Sequence, residues 1–245
     1  METEVYSAMS AREDTFWWHV GMRRITAAVL RKYVPRRAGL KILDVGCGTG
    51  GMLGVLKPLG DVWGVDVSPQ AVSRAERRGY TAVSQGDAMH LPYSDGMFDL
   101  VLCSDLLYHR SVTDDRQALA EMHRVLSASG YLLVREASYD WLRSHHDELV
   151  WTKHRYTKKE LVTKLQESGF QITLTTYVNF FLFPLAFVAR MGEKMRPSRQ
   201  KGDDLFATSE WLNAIFAAIL KLEARLVTTI SFPFGLSILC LVTKK

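Results

Sequence analysis

The stretch Lys41-Ile42-Leu43-Asp44-Val45-Gly46-Cys47-Gly48-Thr49-Gly50-Gly51 decides the fold. Its opening places Ile42, Leu43 and Val45 close together, the pattern of a short, deeply buried strand. Glycines then stand at 46, 48, 50 and 51, where a chain turning sharply out of a strand needs residues without a Cβ. Helical apolar spacing follows over 51–59. A strand, a glycine-rich turn and a helix in that order are the first half of a βαβ unit, which binds ligands on the turn.

Outward from this unit the same alternation continues. Strands are predicted at 41–45, 62–67, 81–84, 100–104, 131–136 and 171–177, and helices at 51–59, 69–78, 114–126 and 158–168. Thr157 with Glu160 gives the last helix a capping box. Such alternation predicts an α/β fold: a mostly parallel sheet with helices on both faces. Four parts follow: a helical N-terminal cap (1–38), the core (39–179), a helical insertion (180–230) and a closing strand within 231–245. The insertion opens on Phe180-Phe181-Leu182-Phe183-Pro184 and crosses a polar, basic stretch at 190–204. A helix is then predicted over 209–229, with Trp211, Leu212, Ile215, Phe216, Ile219 and Leu222 on one stripe.

The glycine turn admits two ligands. Gly46, Gly48 and Gly51 satisfy G-x-G-x-x-G, and Asp66 stands 20 residues after Gly46, as in a dinucleotide site. Asp44 argues otherwise. A carboxylate ending the strand opposes a pyrophosphate but suits the ammonium group of an amino-acid-bearing cofactor such as S-adenosylmethionine, with Asp66 on the ribose hydroxyls. A turn that serves only tight strand–helix packing is the third reading.

Ile42-Leu43-Asp44-Val45-Gly46-Cys47-Gly48-Thr49-Gly50 resembles the first motif of the Rossmann-like (class I) S-adenosylmethionine-dependent methyltransferases. Gly64-Val65-Asp66-Val67-Ser68, Gly86-Asp87-Ala88, Phe98-Asp99-Leu100-Val101-Leu102 and Leu126-Ser127-Ala128-Ser129-Gly130-Tyr131 follow in that superfamily's order. The resemblance covers 40–179. It implies a seven-stranded sheet whose last strand, at 236–242, runs antiparallel. It also implies that Gly46, Cys47, Gly48 and Gly50 lie along the methionine part and that Asp66 and Val67 meet the ribose. Asp87, Ala88 and Met89 would then meet the adenine, with Cys103 near the sulfonium. Asp66 as a plain turn residue and Asp87 as a helix cap are the competing readings. Phe16-Trp17-Trp18 with Arg23 and Arg24, and His146-Asp147-Glu148 leading to Arg155-Tyr156-Thr157, are similar to a bacterial subgroup of small-molecule methyltransferases. Trp151-Thr152-Lys153-His154-Arg155 departs from that subgroup's glycine-histidine-x-arginine-arginine.

His109, on the loop after the fourth strand, is a candidate general base, against a histidine bonded within its own loop. Glu136, ending the fifth strand, is the second catalytic candidate, against a solvated carboxylate. Tyr108 reads as substrate wall. Trp18, together with Tyr6, offers aromatic faces to a cationic sulfonium, and Arg23 or Arg24 a partner for the cofactor carboxylate. His145-His146-Asp147-Glu148 lacks ligand spacing, so no metal site is expected. Asn-Pro-Pro-Tyr, carried by many amino-group methylators, is absent; the place reads Cys103-Ser104-Asp105-Leu106.

Composition sets the outer bounds. With 31 basic and 26 acidic residues over 245, the excess of +5 is mild and scattered and gives no case for nucleic acid. Cys47, Cys103 and Cys240 lie in apolar settings and read as reduced thiols of a cytoplasmic protein. The apolar runs at 178–188 and 230–242 are shorter than the roughly 20 residues a membrane span needs. Together these readings predict transfer of a methyl group from S-adenosylmethionine to a small-molecule acceptor. A hydroxyl in specialised-metabolite or lipid-like biosynthesis is favoured, and the 180–230 insertion is available for peripheral membrane contact or a homodimer. The alternatives are a methyltransferase-fold protein that cyclises or serves as a biosynthetic partner, and an NAD-dependent dehydrogenase.

Overall fold

A computed structural model describes residues 13–195 and 208–245. Helix α1 (Trp17–Tyr33) leads into β1 (Leu40–Val45), α2 (Leu53–Leu56), β2 (Gly60–Asp66), α3 (Pro69–Arg77) and β3 (Val83–Gln85). Next come β4 (Phe98–Ser104), α4 (Asp115–Val125), β5 (Leu126–Ala137) and the short α5 (His145–Leu149). The chain finishes with α6 (Lys158–Glu167), β6 (Phe170–Val178), α7 (Phe183–Met195), α8 (Glu210–Leu226) and β7 (Ser237–Lys244).

All seven strands join one sheet in the order β3-β2-β1-β4-β5-β7-β6. The pairs from β3 through β5 are parallel, and β7 runs antiparallel between β5 and β6. This is the Rossmann-like α/β sheet with its antiparallel last strand. Its centre is dry: Ile42, Leu43, Leu100, Val101, Leu102, Leu132, Leu133 and Leu241 are fully buried. Each such side chain stabilises the fold by about 1.5–3 kcal/mol. Parallel order puts the ends of β1, β2, β4 and β5 on one edge, where a ligand site is expected.

Local chemistry sets the helix ends. Ser68 accepts from the Ala71 amide and Pro69 begins α3. Asp114 accepts from the Arg116 and Gln117 amides ahead of α4. Of the expected capping box at α6, the hydroxyl half forms: Thr157 Oγ1 accepts from the Glu160 amide at 3.2 Å, while Glu160 itself turns to His154.

Several boundaries differ from the sequence expectation. The helix expected at 51–59 shrinks to Leu53–Leu56 and a single 3₁₀ turn, because Gly51, Gly54 and Pro58 leave little to propagate it. Residues 127–130 lie within β5 as an irregularity, Phe98 pairing with Leu126 and Leu100 with Tyr131. Helix α7 falls within the expected helical insertion, ahead of the one helix placed there individually, and Pro184 does not break it. The proline occupies the first turn instead, where its missing N–H has no partner to lose. Tyr6 and residues 196–207 of the basic stretch lie outside the described residues. Among the described residues no helix is long and apolar enough to cross a membrane.

Candidate functional site

The glycine turn is tied to β2 by the Gly46 and Cys47 amides, which donate to the Val65 carbonyl at 2.8 and 3.1 Å. Gly46, Gly48 and Gly50 all adopt left-handed φ (+75°, +54° and +87°), which explains the spacing of those three. Gly51 does not; a Cβ there would overlap the Glu13 carboxylate. The third glycine of the G-x-G-x-x-G pattern therefore makes room for an N-terminal side chain. A Cβ on Gly48 would meet nothing within 4 Å, so the turn opens outward there.

Three carboxylates surround the turn. Asp66 ends β2 and accepts from the Gly48 and Ser68 amides, both at 2.9 Å, one on each oxygen. A carboxylate has about four lone-pair sites, so two remain for a diol. Burial raises the Asp66 pKa, and those two amides pull it back. Asp87 is half-exposed; Oδ1 accepts from the Met89 amide at 2.9 Å, and Oδ2 lies 3.8 Å from His90. Asp44 is buried beneath the turn, its carboxylate without a hydrogen-bond partner among the described residues. Burial first, then the Asp66 charge, push its pKa up to about 7.

Between Asp66 and Asp87 runs a cleft walled by Val65, Val67, Ala88, Leu106 and Val112, with neither Lys nor Arg in its lining among the described residues. Apolar walls suit a flat heterocycle. Unopposed carboxylates suit a neutral or cationic ligand and oppose a pyrophosphate. Cys47 offers only backbone, its side chain turned against Gly64.

The ends of β4 and β5 hold the catalytic candidates. Glu136 is fully buried: Oε1 accepts from the Leu106 and Leu107 amides at 3.2 and 2.9 Å, and Oε2 from Tyr108 at 3.2 Å. Burial, then Asp105, raise its pKa to about 8, against the pull of those amides. Cys103 Sγ lies 4.0 Å from Glu136, in the same buried layer. His109 Nδ1 lies 2.7 Å from Ser111 Oγ and accepts from the Ser111 amide at 3.1 Å, while its ring stacks on Trp151. Burial, with a contribution from Arg110, lowers its pKa to about 4.

Trp18 covers the Arg135 guanidinium at 5.5 Å, and Arg135 is ion-paired with Asp105. His19 lies within electrostatic reach of Arg23, Asp105, Arg135 and His146, and burial, then Arg23, lower its pKa to about 4. Sequence reasoning passed over Arg135 and His19. The signal was there for Arg135, a charge standing after the apolar run Leu132-Leu133-Val134. Arg23 donates to the Glu13 carbonyl at 2.8 Å and lies 3.8 Å from Asp14. Glu13 in turn bonds Thr49 and Arg78, and Asp14 pairs with Arg78. The N-terminal segment is thereby strapped across the glycine turn.

The 145–157 stretch is joined internally. Arg155 is buried and grips both oxygens of the buried Asp147 at 2.7 and 3.1 Å, and Asp147 accepts from the Ser144 amide. Tyr156 donates to Asp115 at 2.7 Å, and His145 pairs with Glu148 on the surface.

Residues 43–134 match the family described as a methyltransferase domain. The demethylmenaquinone methyltransferase of Deinococcus radiodurans is 39% identical over 124 residues, covering 47% of this chain and 49% of that protein. The malonyl-[acyl-carrier protein] O-methyltransferase of Erwinia billingiae is 34% identical over 150 residues, 60% of this chain and 58% of that protein. The chain thus spans about half the length of the curated relatives it matches. An S-adenosylmethionine-dependent methyltransferase structure from Thermotoga maritima superposes with a TM-score of 0.60 at 19% identity, over 98% of this chain and all of that one.

Proposed function

We propose that the chain, whose residues 43–134 match a methyltransferase domain and whose sheet is shared with Rossmann-like methyltransferase structures, transfers a methyl group from S-adenosylmethionine to a hydroxyl of a small-molecule acceptor. The observation that carries this reading is the acidic cleft beside a left-handed glycine turn, with no cation on its walls among the described residues. In this reading Asp66 holds the ribose diol with its two remaining lone-pair sites. Asp87 accepts from the adenine amino group beside Ala88 and Met89, and Asp44 faces the ammonium group. S-adenosylmethionine supplies a methyl group already activated on sulfur. The chain's own work is then alignment, exclusion of water and removal of one proton.

The proton-handling groups divide as follows. Because His109 Nδ1 accepts from the Ser111 amide, its neutral ring carries the proton on Nε2 and presents a donor. Glu136 fixes the backbone of 106–108, the wall between cleft and acceptor, as a positioning residue. The neutral imidazole of His19, with neither nitrogen bonded among the described residues, takes up the hydroxyl proton. Tyr139, Trp141, Phe183 and Phe234 form a linked aromatic group suited to an apolar acceptor. Exposed Leu185, Val188 and Trp211 give the insertion an apolar outer face for a membrane surface or a second copy.

Methyl-labelled S-adenosylmethionine with a panel of phenols and alcohols tests the reaction. Label recovered on an acceptor oxygen is the expected result. Saturable NADH binding by a chain that ignores S-adenosylmethionine overturns it.

A further inference from the structure

Strands β1, β4 and β5 place three polar side chains in one row at the ligand-binding edge. Asp44 pairs in register with Leu102, Ser104 lies two residues further along β4, and Ser104 pairs with Arg135. Strand alternation puts all three on one face of the sheet. Each has unmet bonding capacity among the described residues. Asp44 is 3% exposed and its carboxylate takes part in no hydrogen bond with the described residues, and the Ser104 hydroxyl is buried without a partner among them. Arg135 is 5% exposed; Asp105 holds its Nη2 and Trp18 covers its plane, yet its buried Nε–H is left unpaired.

Orphaned buried polar groups are uncommon, and two of them in a row with a buried carboxylate call for a ligand. The order of the row is carboxylate, hydroxyl, guanidinium. A ligand with one charge leaves one end unmatched, whereas a zwitterion matches both. Strands β1 and β5 are two spacings apart, roughly 9–10 Å, and the long arginine side chain reaches inward from its end.

We propose that this row is the seat of the methyl donor's α-amino acid end, with Asp44 taking the ammonium and the Arg135 Nε–H and Ser104 hydroxyl taking the carboxylate. The inference rests on the donor reading above. It assigns the carboxylate to Arg135 in place of Arg23, whose guanidinium is engaged by Glu13 and Asp14. Trp18 then acts on the donor through Arg135, holding the guanidinium plane in place.

Isothermal titration of the full chain with S-adenosylhomocysteine and with 5′-methylthioadenosine separates the possibilities, since the second keeps the nucleoside but lacks the amino acid end. The wild type is expected to prefer S-adenosylhomocysteine by at least roughly tenfold. Arg135→Gln should weaken S-adenosylhomocysteine by roughly 10–100-fold and leave methylthioadenosine within about twofold. Ser104→Ala, which removes only an unpaired hydroxyl and keeps the fold, should cost roughly 3–10-fold on S-adenosylhomocysteine alone. Equal affinity of the wild type for both nucleosides overturns the seat and leaves the donor reading standing. So does an Arg135→Gln chain, folded by circular dichroism, that keeps the preference, or an Arg23→Gln chain that alone loses it. If neither nucleoside binds the wild type, the donor reading itself fails.

Discussion

Burial and the nearby Asp66 carboxylate raise the Asp44 pKa from 3.8 to about 7, so in the free protein this carboxyl holds its proton far above the usual carboxylate range. The folded chain then keeps a proton that the unfolded chain has already released. The contribution of Asp44 to stability is therefore lost as pH rises from about 4 through 7, by roughly 4 kcal/mol across that window. An ammonium group arriving beside Asp44 favours the carboxylate and expels the proton. Binding of S-adenosylhomocysteine, itself protonated on nitrogen in this range, should release a proton near pH 6 and progressively less as pH rises past 7. Calorimetry in phosphate and in Tris reads that release from the difference in apparent enthalpy. Asp44→Asn should abolish the release and weaken binding by roughly 10–100-fold. The same substitution removes the buried charge and should raise Tm at pH 8 by at least about 4 °C. Stability gained with affinity lost marks a group kept for a ligand. Proton uptake on binding, or wild-type affinity in Asp44→Asn, refutes the reasoning.

Arg155→Met strands the Asp147 carboxylate in the interior and should cost roughly 3–5 kcal/mol, seen as a lowered denaturation midpoint. Gly51→Val drives a side chain into Glu13; it should release the strap, exposing the N-terminal segment to limited proteolysis, and cost about 1–3 kcal/mol. His19 and His109 stay neutral in the fold down to about pH 4, whereas the unfolded chain protonates them near 6.5. The contribution of these two histidines to stability is thus lost as pH drops from 6.5 toward 4, opposite in sign to that of Asp44, and His19→Gln with His109→Gln should remove it from the acid side of the melting profile.

The sheet was legible because β1, β4 and β5 are dense in branched aliphatics and because left-handed turns leave glycines at a fixed spacing. Asp66 and Asp87 were legible for the same reason: a carboxylate at a strand end follows a motif in register. What escaped depends on distant chain segments. That Gly51 serves Glu13 cannot be read from a turn motif, since the two meet across 38 residues of chain. Glu136 looked like a rim carboxylate, but the amides it accepts from lie on a loop nearly 30 residues earlier. The bounds of helix α7 within the expected helical insertion were not legible, because a proline in a first turn and a proline that ends a helix look alike until the boundary is known. Arg135 escaped because a partnerless Nε–H is a property of packing.

The central claim is that the glycine turn and its three carboxylates bind a methyl donor, and a crystal structure grown with S-adenosylhomocysteine tests it most directly. The account predicts density along the turn, with the ribose hydroxyls on Asp66, the adenine amino group toward Asp87 and the ammonium on Asp44. An empty cleft at millimolar ligand, or NADH occupying it in a parallel soak, contradicts the account.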